Sequence, residues 1–339
     1  IEAKYPLFYK YKHKTFKGLL DEYVQDERIR AILCDRCAFM GLPPSKVSAI
    51  GMSAMIITYG MNGGYRVKGL TQRFPDALAG SIKNNGGNII YNTTVDKIII
   101  EGNRAAGVVT GDGRVFRAKK IVSNISAKKT FFELAGKENL KDEFIDKIEK
   151  MLPSLSFFLV YLGVDMDLKK LGLEHSIGTY PSFDIEKTFS DINKDICSPN
   201  ASFETIIYTL TNPDMAPKDC HSLILMTKAG YDYKESWKGC KDKEAERLIK
   251  MAEQIIPNLS SHIIIQDSAT PLTLERYTGN DNGAAFGWAQ GIDHVGANRL
   301  QIETPINGLY LTGHWTIPGG GIESVVASGI LAERKIMKG

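Results

Sequence analysis

The chain has 339 residues, of which 43% are hydrophobic and 24% are charged, a composition typical of a globular protein. At about 150 residues per domain, this length predicts two domains or one large interleaved domain, with a core that needs no disulfide or structural metal. The 42 lysines and arginines nearly balance the 39 aspartates and glutamates, which argues against a nucleic-acid binder driven by bulk charge. No stretch approaches about 18 uninterrupted apolar residues, so no transmembrane helix is predicted.

The first 20 residues combine positive charge with aromatic side chains: Lys4, Lys10, Lys12, Lys14 and Lys17 with Tyr5, Phe8, Tyr9, Tyr11 and Phe16. Such a segment either lies on a membrane surface or forms a packed, solvated edge, and the second interpretation is favoured. The chain begins with Ile1 and carries neither a secretory nor a transit signature. We therefore expect either that a segment was removed or that the chain is part of a longer protein.

Five cysteines occur at irregular spacing: Cys34, Cys37, Cys197, Cys220 and Cys240. An odd number without a pattern argues against a disulfide framework and favours a reducing compartment, so a cytoplasmic location is predicted. Cys34 and Cys37 form a lone C-x-x-C, which is typical of a redox motif or of half a zinc site. Because the surrounding residues indicate a helix, we favour buried structural cysteines and predict no metal site.

In chain order, the pattern predicts helices over residues 17–59, interrupted at 41–44, with Ser45 as the N-cap of the second helix. A turn at Gly63-Gly64 leads into an amphipathic helix. Residues 88–124 alternate with period two and predict short strands, joined by hairpin turns at 101–103 and 111–113.

Residues 127–150 predict a charged helix, and residues 154–300 mix strand-like and helical segments without a fixed repeat. The last 40 residues predict a buried strand ending at Gly313, a glycine- and proline-rich loop, and an amphipathic helix. Three consecutive glycines, residues 319–321, stand at the entrance of that helix.

These glycines let a ligand approach the backbone closely, and the following helix presents free N–H groups with the positive end of its dipole. The site suits a phosphate or the flavin edge that gains negative charge on reduction, but a ligand-free tight turn has the same sequence. The run is not a G-x-G-x-x-G, and the sequence holds no such motif elsewhere, so the dinucleotide signal is weak.

Hydrolase chemistry is disfavoured by the motifs present. The stretch from Gly51 to Met55 lacks the second glycine of a nucleophile elbow, and the six histidines are scattered without an H-E-x-x-H. His314 stands out because it directly follows a predicted strand end, although a lone histidine is more often structural than catalytic.

Three stretches, residues 62–124, 269–288 and 308–329, resemble the phytoene desaturase family of FAD-dependent oxidoreductases, in the branch of carotenoid isomerase-like and retinol saturase-like enzymes. The third stretch reads GLYLTGHWTIPGGGIESVVASG and is similar to the family's C-terminal flavin-binding segment. The resemblance implies an α/β fold in which a Rossmann-like FAD/NAD(P)-binding domain, here without its N-terminal part, is interleaved with a mixed α+β substrate domain. The FAD-binding parts would be residues 60–130 and 300–339, and the substrate domain residues 1–59 and 131–299.

The resemblance also implies a set of FAD-contacting residues: Gly63, Gly64, Val95, Gly313, His314, Trp315, Gly320, Gly321 and Ile322. Val95 matches the position whose backbone meets the adenine, and Gly313 and His314 match the strand end near the pyrophosphate and ribitol. Many relatives carry an acidic residue where this chain has His314. Trp315 matches a residue beside the isoalloxazine; core packing for Val95 and a buried anchor role for Trp315 are the alternatives.

Members of the family begin with a strand, a G-x-G-x-x-G turn and a helix that hold the FAD diphosphate, and this chain contains none of these. The resemblance thus implies the C-terminal portion of a longer enzyme, with poor FAD affinity and no activity by itself. The implied chemistry is hydride or electron transfer at C–C or C=C bonds of an apolar, polyprenoid- or carotenoid-like substrate. No catalytic residue is assigned; Arg276 and Tyr277 are loose candidates.

Two other functions remain open. Proteins of the same fold family include non-catalytic escort proteins that bind prenylated partners, although the intact glycine run at 319–321 argues against that role. A thiol-redox function of Cys34 and Cys37 is the weaker alternative, and flavin-dependent activity unchanged by serine at both positions would exclude it. The sequence leaves the oligomeric state undetermined.

Overall fold

The computed structural model describes residues 1–234 and 236–338. The helices are α1 (Pro6–Tyr11), α2 (Phe16–Tyr23), α3 (Glu27–Cys34), α4 (Ala49–Asn62), α5 (Arg73–Asn84), α6 (Asp142–Lys150), α7 (Trp237–Ala252), α8 (Pro271–Thr278) and α9 (Ile322–Lys338). The strands are β1 (Val95–Glu101), β2 (Arg104–Thr110), β3 (Val115–Arg117), β4 (Ile121–Ser123), β5 (Ser156–Val164), β6 (Ser176–Thr179), β7 (Phe203–Ile206), β8 (His221–Ala229), β9 (Ile263–Ala269) and β10 (Leu309–Leu311).

The largest sheet has the strand order β6-β7-β8-β5-β9, and each neighbouring pair is antiparallel. Because strand side chains alternate between faces, Phe158, Val160 and every second residue of β5 turn toward α7 and form the main core. Trp237 at the start of α7 stacks on Phe158 and Tyr233, with ring centroids 5.4 Å and 4.2 Å away. The opposite face of the sheet carries half-exposed side chains such as Leu159 and Met226.

A three-stranded antiparallel meander, β1-β2-β3, forms over the residues for which the sequence predicts short strands. Gly102 and Gly113 lie in its hairpin turns with φ of 59° and 82°. Glycine adopts this left-handed conformation without steric cost, so both predicted turn positions are confirmed.

Strands β4 and β10 form a short parallel pair, with Leu309 opposite Ile121 and Leu311 opposite Ser123. Parallel pairing requires a crossover, and here the chain builds the entire five-stranded sheet between the two strands. The last segment of the chain thereby returns to the side of the meander, and the carboxyl ends of β4 and β10 meet at one edge.

The predicted helical region 17–59 contains three helices and a 3₁₀ segment, Asp35–Met40, which ends at Gly41 with φ of 80°. The N-cap of α4 is Ser48, whose side chain accepts a hydrogen bond from the Gly51 amide at 3.3 Å. The prediction of Ser45 was wrong because Ser45 instead donates its backbone N–H to the Glu186 carboxylate, 3.1 Å away. Glu186 is distant in sequence, so a local capping rule does not include it.

Residues 127–150 also depart from the single predicted helix. They form a π-helical turn, Lys129–Leu134, and then α6, with Gly136 at φ of 86° between them. Phe131 and Phe144 meet edge to face across this break, with ring centroids 4.9 Å apart. Packing of the two rings explains why the chain folds back here.

The basic segment at the start of the chain is partly paired with α2. Lys10 and Lys14 bind Glu22, and Lys17 lies 2.7 Å from Asp21. Because α2 supplies these carboxylates, the charge of these three lysines is locally balanced. Among the described residues, no helix combines the length and the apolar character needed to span a membrane.

Candidate active site

The carboxyl ends of β4 and β10 form one side of the site. Thr312, directly after β10, donates its amide to the Ser123 carbonyl at 2.9 Å, which holds the two strand ends in register. Gly313 follows with φ of 87°, and a Cβ at this position would lie 2.0 Å from Oδ1 of Asn124. Only glycine therefore fits, and Asn124 comes to a strand edge of the kind at which α/β sheets bind ligands.

Ser328 of α9 ties this edge to the helix. Its buried hydroxyl accepts from the Gly313 amide at 2.7 Å, lies 2.8 Å from the Thr312 hydroxyl, and donates to the Val325 carbonyl at 2.7 Å. The position of α9 relative to β10 is thus set by hydrogen bonds as well as by packing. Sequence analysis missed Ser328 because a serine within an amphipathic helix shows no distinctive local signal.

Asn280 organises the two residues after Gly313. Its Oδ1 accepts from Nε1 of Trp315 and lies 3.2 Å from Nε2 of His314, while its amide donates to the Ala284 carbonyl at 3.0 Å. Trp315 is fully buried and meets Trp288 edge to face at 4.7 Å. This environment is that of a structural anchor, so cofactor contact by Trp315 stays a prediction.

His314 is held in its neutral form. Burial, and to a smaller extent the positive charge of Arg299, lower its pKa to about 4. A neutral ring whose Nε2 faces Asn280 serves as a hydrogen-bond donor at pH 7 and is a poor proton donor to a substrate. The structure therefore favours a positioning role for His314.

The stability of the protein should fall as His314 is forced to protonate. The unfolded chain binds this proton at an ordinary histidine pKa, whereas the folded chain binds it only near pH 4, so stability is lost as pH falls from about 6.5 toward 4. Between pH 7 and pH 4.5, the free energy of unfolding should decrease by on the order of 2 kcal/mol less in His314→Gln than in the wild type. Urea unfolding of both proteins at these pH values measures it; equal decreases in the two proteins would contradict the assignment.

The glycine loop, residues 319–321, comes next and forms the second side of the site. Gly319 and Gly321 have φ of 139° and 99°, which other residues rarely adopt. A Cβ on Gly320 would lie 2.8 Å from both Cβ and the carbonyl oxygen of Phe286, whereas at Gly321 the space is open. The loop therefore lies directly on Phe286 and exposes bare backbone on its other side.

A cavity of about 910 Å³ opens beside this loop. Gly320, Gly321 and Ile322 form one wall of it. The facing wall consists mainly of apolar side chains from the first 60 residues: Phe8, Phe39, Met40, Ile50, Ala54 and Met55. The cavity thus brings together three of the predicted site residues with a helical wall that sequence analysis did not assign to the site.

The remaining predicted residues lie elsewhere. Gly63 and Gly64 are exposed just after α4, the helix that lines the cavity, and Gly63 has φ of 73°. Val95 is half-exposed at the start of β1, where it pairs with Thr110. Neither the Gly-Gly turn nor Val95 lines the cavity, so their cofactor contacts stay predictions.

The loose catalytic candidates receive no support from their positions. Arg276 and Tyr277 lie on α8, where the guanidinium is 4.7 Å from the tyrosine ring centroid and Tyr277 is 77% exposed. Neither side chain lines the cavity. Their mutual stacking is sufficient to explain this arrangement as a surface contact.

Cys34 and Cys37 belong to a small core of the helical region. Both are buried, and Sγ of Cys37 lies 4.0 Å from Sδ of Met52. A hydrogen bond with Cys34, together with burial, raises the pKa of Cys37, which keeps it a thiol. In residues 1–234 and 236–338 we find no cluster of three or more histidine, cysteine or acidic side chains suited to a metal ion.

The fold and site combine a parallel strand pair, followed by a glycine loop and a helix, with a larger antiparallel sheet. The family model described as "Flavin containing amine oxidoreductase" matches residues 37–337. The chain belongs to this family. Membership confirms the predicted fold class and the prediction of FAD as the cofactor.

The curated relatives agree with the resemblance found in the sequence. Prolycopene isomerase of Arabidopsis thaliana is 26% identical over 329 residues, which cover 93% of this chain and 53% of that protein. The zeta-carotene-forming phytoene desaturase of Myxococcus xanthus is 25% identical over 332 residues, which cover 96% of this chain and 62% of that protein. The resemblance to carotenoid desaturases and isomerases is confirmed. The chain spans about half the length of the curated relatives it matches.

Solved structures show the same fold. An oxidoreductase from Methanosarcina mazei superposes with a TM-score of 0.65 at 19% identity, covering 95% of this chain and 68% of that one. A putrescine oxidase superposes with a TM-score of 0.68 at 13% identity, and the match covers 99% of this chain and 70% of that one. At these identities the likeness concerns the fold alone.

Proposed function

We propose that the chain belongs to an FAD-dependent oxidoreductase of the desaturase, saturase or isomerase type, acting on C–C or C=C bonds of an apolar, polyprenoid- or carotenoid-like substrate. The observation that carries this proposal is the 910 Å³ cavity, whose walls are the glycine loop and the apolar side of α4. Relatives named prolycopene isomerase and phytoene desaturase support it. In this proposal residues 60–130 and 300–339 belong to the FAD-binding domain, and residues 1–59 and 131–299 to the substrate domain.

The residues at the loop fit a flavin. Gly321 leaves open the space that a Cβ would fill, and α9 begins immediately afterwards, at Ile322, with its amide groups toward the loop. We propose that Gly320, Gly321 and Ile322 flank the isoalloxazine and that Gly313 and His314 lie near the pyrophosphate and ribitol. The bound flavin supplies the hydride or electron transfer, and the chain's residues orient it and exclude water.

The facing wall favours an apolar substrate. Phe39, Met40 and Met55 present carbon and sulfur surface to the cavity, and burying apolar area there contributes about 25 cal/mol per Å². Charged lining residues, such as Lys12 and Glu323, come from α1 and its following turn and from the start of α9. A long hydrocarbon chain is therefore held by burial along α4, with its reacting bond toward the glycine loop.

Filling the cavity from α4 should weaken substrate binding. Met55→Trp places an indole in the cavity and is expected to weaken binding of phytoene, presented in detergent micelles, at least about tenfold, because the hydrocarbon no longer fits. Quenching of protein fluorescence on phytoene titration measures it. The matched control is Ile57→Trp on the same helix, which is 56% exposed and does not line the cavity.

Equal phytoene affinity in the two tryptophan variants would refute the cavity as the substrate site. The same titration separates the alternative function, a non-catalytic prenyl- or lipid-binding escort. A protein that binds phytoene but shows no flavin absorbance even at FAD concentrations high enough to offset the weak binding expected of this chain would favour the escort function over the oxidoreductase.

We further propose peripheral membrane contact through residues 1–20 and a cytoplasmic location. Tyr5, Leu7 and Phe8 are exposed on α1 and the turn before it, and Phe8 also lines the cavity. Lys4 and Lys12 lack a carboxylate partner among the residues that the structure describes. Apolar and cationic groups thus meet at the mouth of the cavity, where a substrate dissolved in a bilayer would enter.

This contact predicts binding to anionic lipid. Leu7→Glu should lower the fraction of protein that sediments with phosphatidylcholine vesicles containing phosphatidylglycerol by severalfold, because it places a negative charge in the apolar contact. Ile32→Glu is the control, since Ile32 is 72% exposed on α3 and lies outside residues 1–20. Equal sedimentation of the two variants would exclude a membrane role for α1.

A further inference from the structure

Arg299 is a fully buried arginine whose guanidinium binds only main-chain carbonyls. Nε donates to the Thr316 carbonyl at 2.8 Å, and Nη2 donates to the His314 carbonyl at 2.6 Å. Nη1 donates to the His294 carbonyl at 3.2 Å, and both terminal nitrogens reach the Trp288 carbonyl at 3.4 Å. Three separate chain segments are therefore joined through one side chain.

This cation has no carboxylate partner among the described residues, which distinguishes it from Arg247, whose guanidinium binds Asp195 and Glu244. Burial lowers the pKa of Arg299 to about 10, so the guanidinium is still protonated at neutral pH. Burying an unpaired charge is costly, and carbonyl dipoles offset that cost only in part. The guanidinium therefore clamps these carbonyls and at the same time keeps a full positive charge at this position.

The charge lies against the segment that leads into the glycine loop. Its two shortest hydrogen bonds end on the carbonyls of His314 and Thr316, the residues that lead from β10 into the loop. Gly320 and Gly321 of the same loop form the cavity wall. The field of Arg299 also reaches the His314 ring, whose protonation it disfavours. A buried, unneutralised cation acts over a longer range here than it would in water.

We propose that Arg299 is a positioning residue that holds a positive charge against the segment leading into the flavin-facing loop and thereby favours the reduced, anionic flavin over the oxidised, neutral form. This inference rests on the proposed function. Uptake of two electrons and one proton leaves the flavin with one negative charge, and the guanidinium stabilises that charge without transferring a proton itself. The substrate, or a chemical reductant in the test, supplies the electrons.

The test is the redox equilibrium of the FAD-loaded protein with a reference dye of known potential, reduced stepwise with dithionite. Arg299→Gln removes the charge and keeps amide donors, Arg299→Met removes both, and Arg299→Lys keeps the charge. We expect the ratio of oxidised to reduced flavin at a given dye ratio to rise about tenfold in the glutamine and methionine proteins. The lysine protein should stay within about threefold of the wild type.

Two neutral variants are included because either one can fail to fold, and the folded one gives the comparison. Arg247→Gln is the control for loss of an ion-paired, half-buried arginine elsewhere, and it should lower the melting temperature without changing the flavin ratio. An unchanged ratio in the neutral Arg299 variants, or an equal shift in the lysine protein, would overturn the inference. A wild-type protein that takes up no flavin even at FAD concentrations high enough to offset the weak binding expected of this chain would instead refute the proposed function.

Discussion

Replacing Gly320 by valine is expected to abolish flavin binding and to destabilise the folded protein by about 1–3 kcal/mol. Even the first carbon of the new side chain would lie 2.8 Å from Cβ and from the carbonyl oxygen of Phe286. Phe286 cannot move freely, because its ring packs against Phe39 and Phe157 with centroids 5.8 Å and 5.9 Å away. The loop must therefore shift, and it would move into the space proposed for the flavin.

The measurements are flavin absorbance of the purified protein after incubation with FAD, and urea unfolding. Gly80→Ala is the matched control, since Gly80 lies within α5 and an added Cβ there meets nothing within 4 Å. That change should leave flavin uptake intact and stabilise the helix by about 0.5–1 kcal/mol. Normal flavin uptake by the valine protein would show that the loop does not face the cofactor.

Glu244→Gln is expected to lower the free energy of unfolding by about 3 kcal/mol. Glu244 is fully buried on α7, where its carboxylate binds Lys234 and lies 2.8 Å from Nη1 of Arg247. Neutralising the carboxylate leaves two cations facing each other across the edge of the main core. Asp195 lies 2.7 Å from Nη1 of Arg247 and still balances part of the positive charge in the variant.

Chemical unfolding of the two proteins at neutral pH measures this difference. The control is Glu303→Gln, which breaks the exposed pair with Lys335 and should change stability by less than about 1 kcal/mol. If the free energy of unfolding fell equally in the Glu244 and Glu303 variants, the buried network would stabilise the protein no more than a surface ion pair does. Flavin uptake should be unchanged in both, because neither residue lines the cavity.

Much of the local structure followed from the sequence. The hairpin turns at Gly102 and Gly113 were predictable because each needs a positive φ that glycine adopts freely. The strand, loop and helix at the end of the chain were predictable as well, because their hydrophobic periods differ and the three glycines separate them. The family resemblance rests on these same segments, and the family match confirms it.

The N-cap of α4 and the residues around the loop were decided by tertiary structure. Ser45 and Ser48 are equivalent by local rules, and the carboxylate of Glu186 determines which of them caps the helix. Asn280 was predicted to lie in a family-like stretch, but its hydrogen bonds to His314 and Trp315 depend on how two distant segments meet.

The sequence by itself determined the β–loop–α unit, its glycines and the flavin family, because those features depend on local backbone conformation and on residue order. The cavity and the charge against the segment leading into its loop depend on contacts between residues far apart in the chain. Met55 and Gly320 share a cavity, and Arg299 binds the carbonyls of Trp288 and His314, only because the chain returns to β4 after building the large sheet. Periodicity carries no information about such contacts, so the tertiary structure alone assigns Arg299 a role.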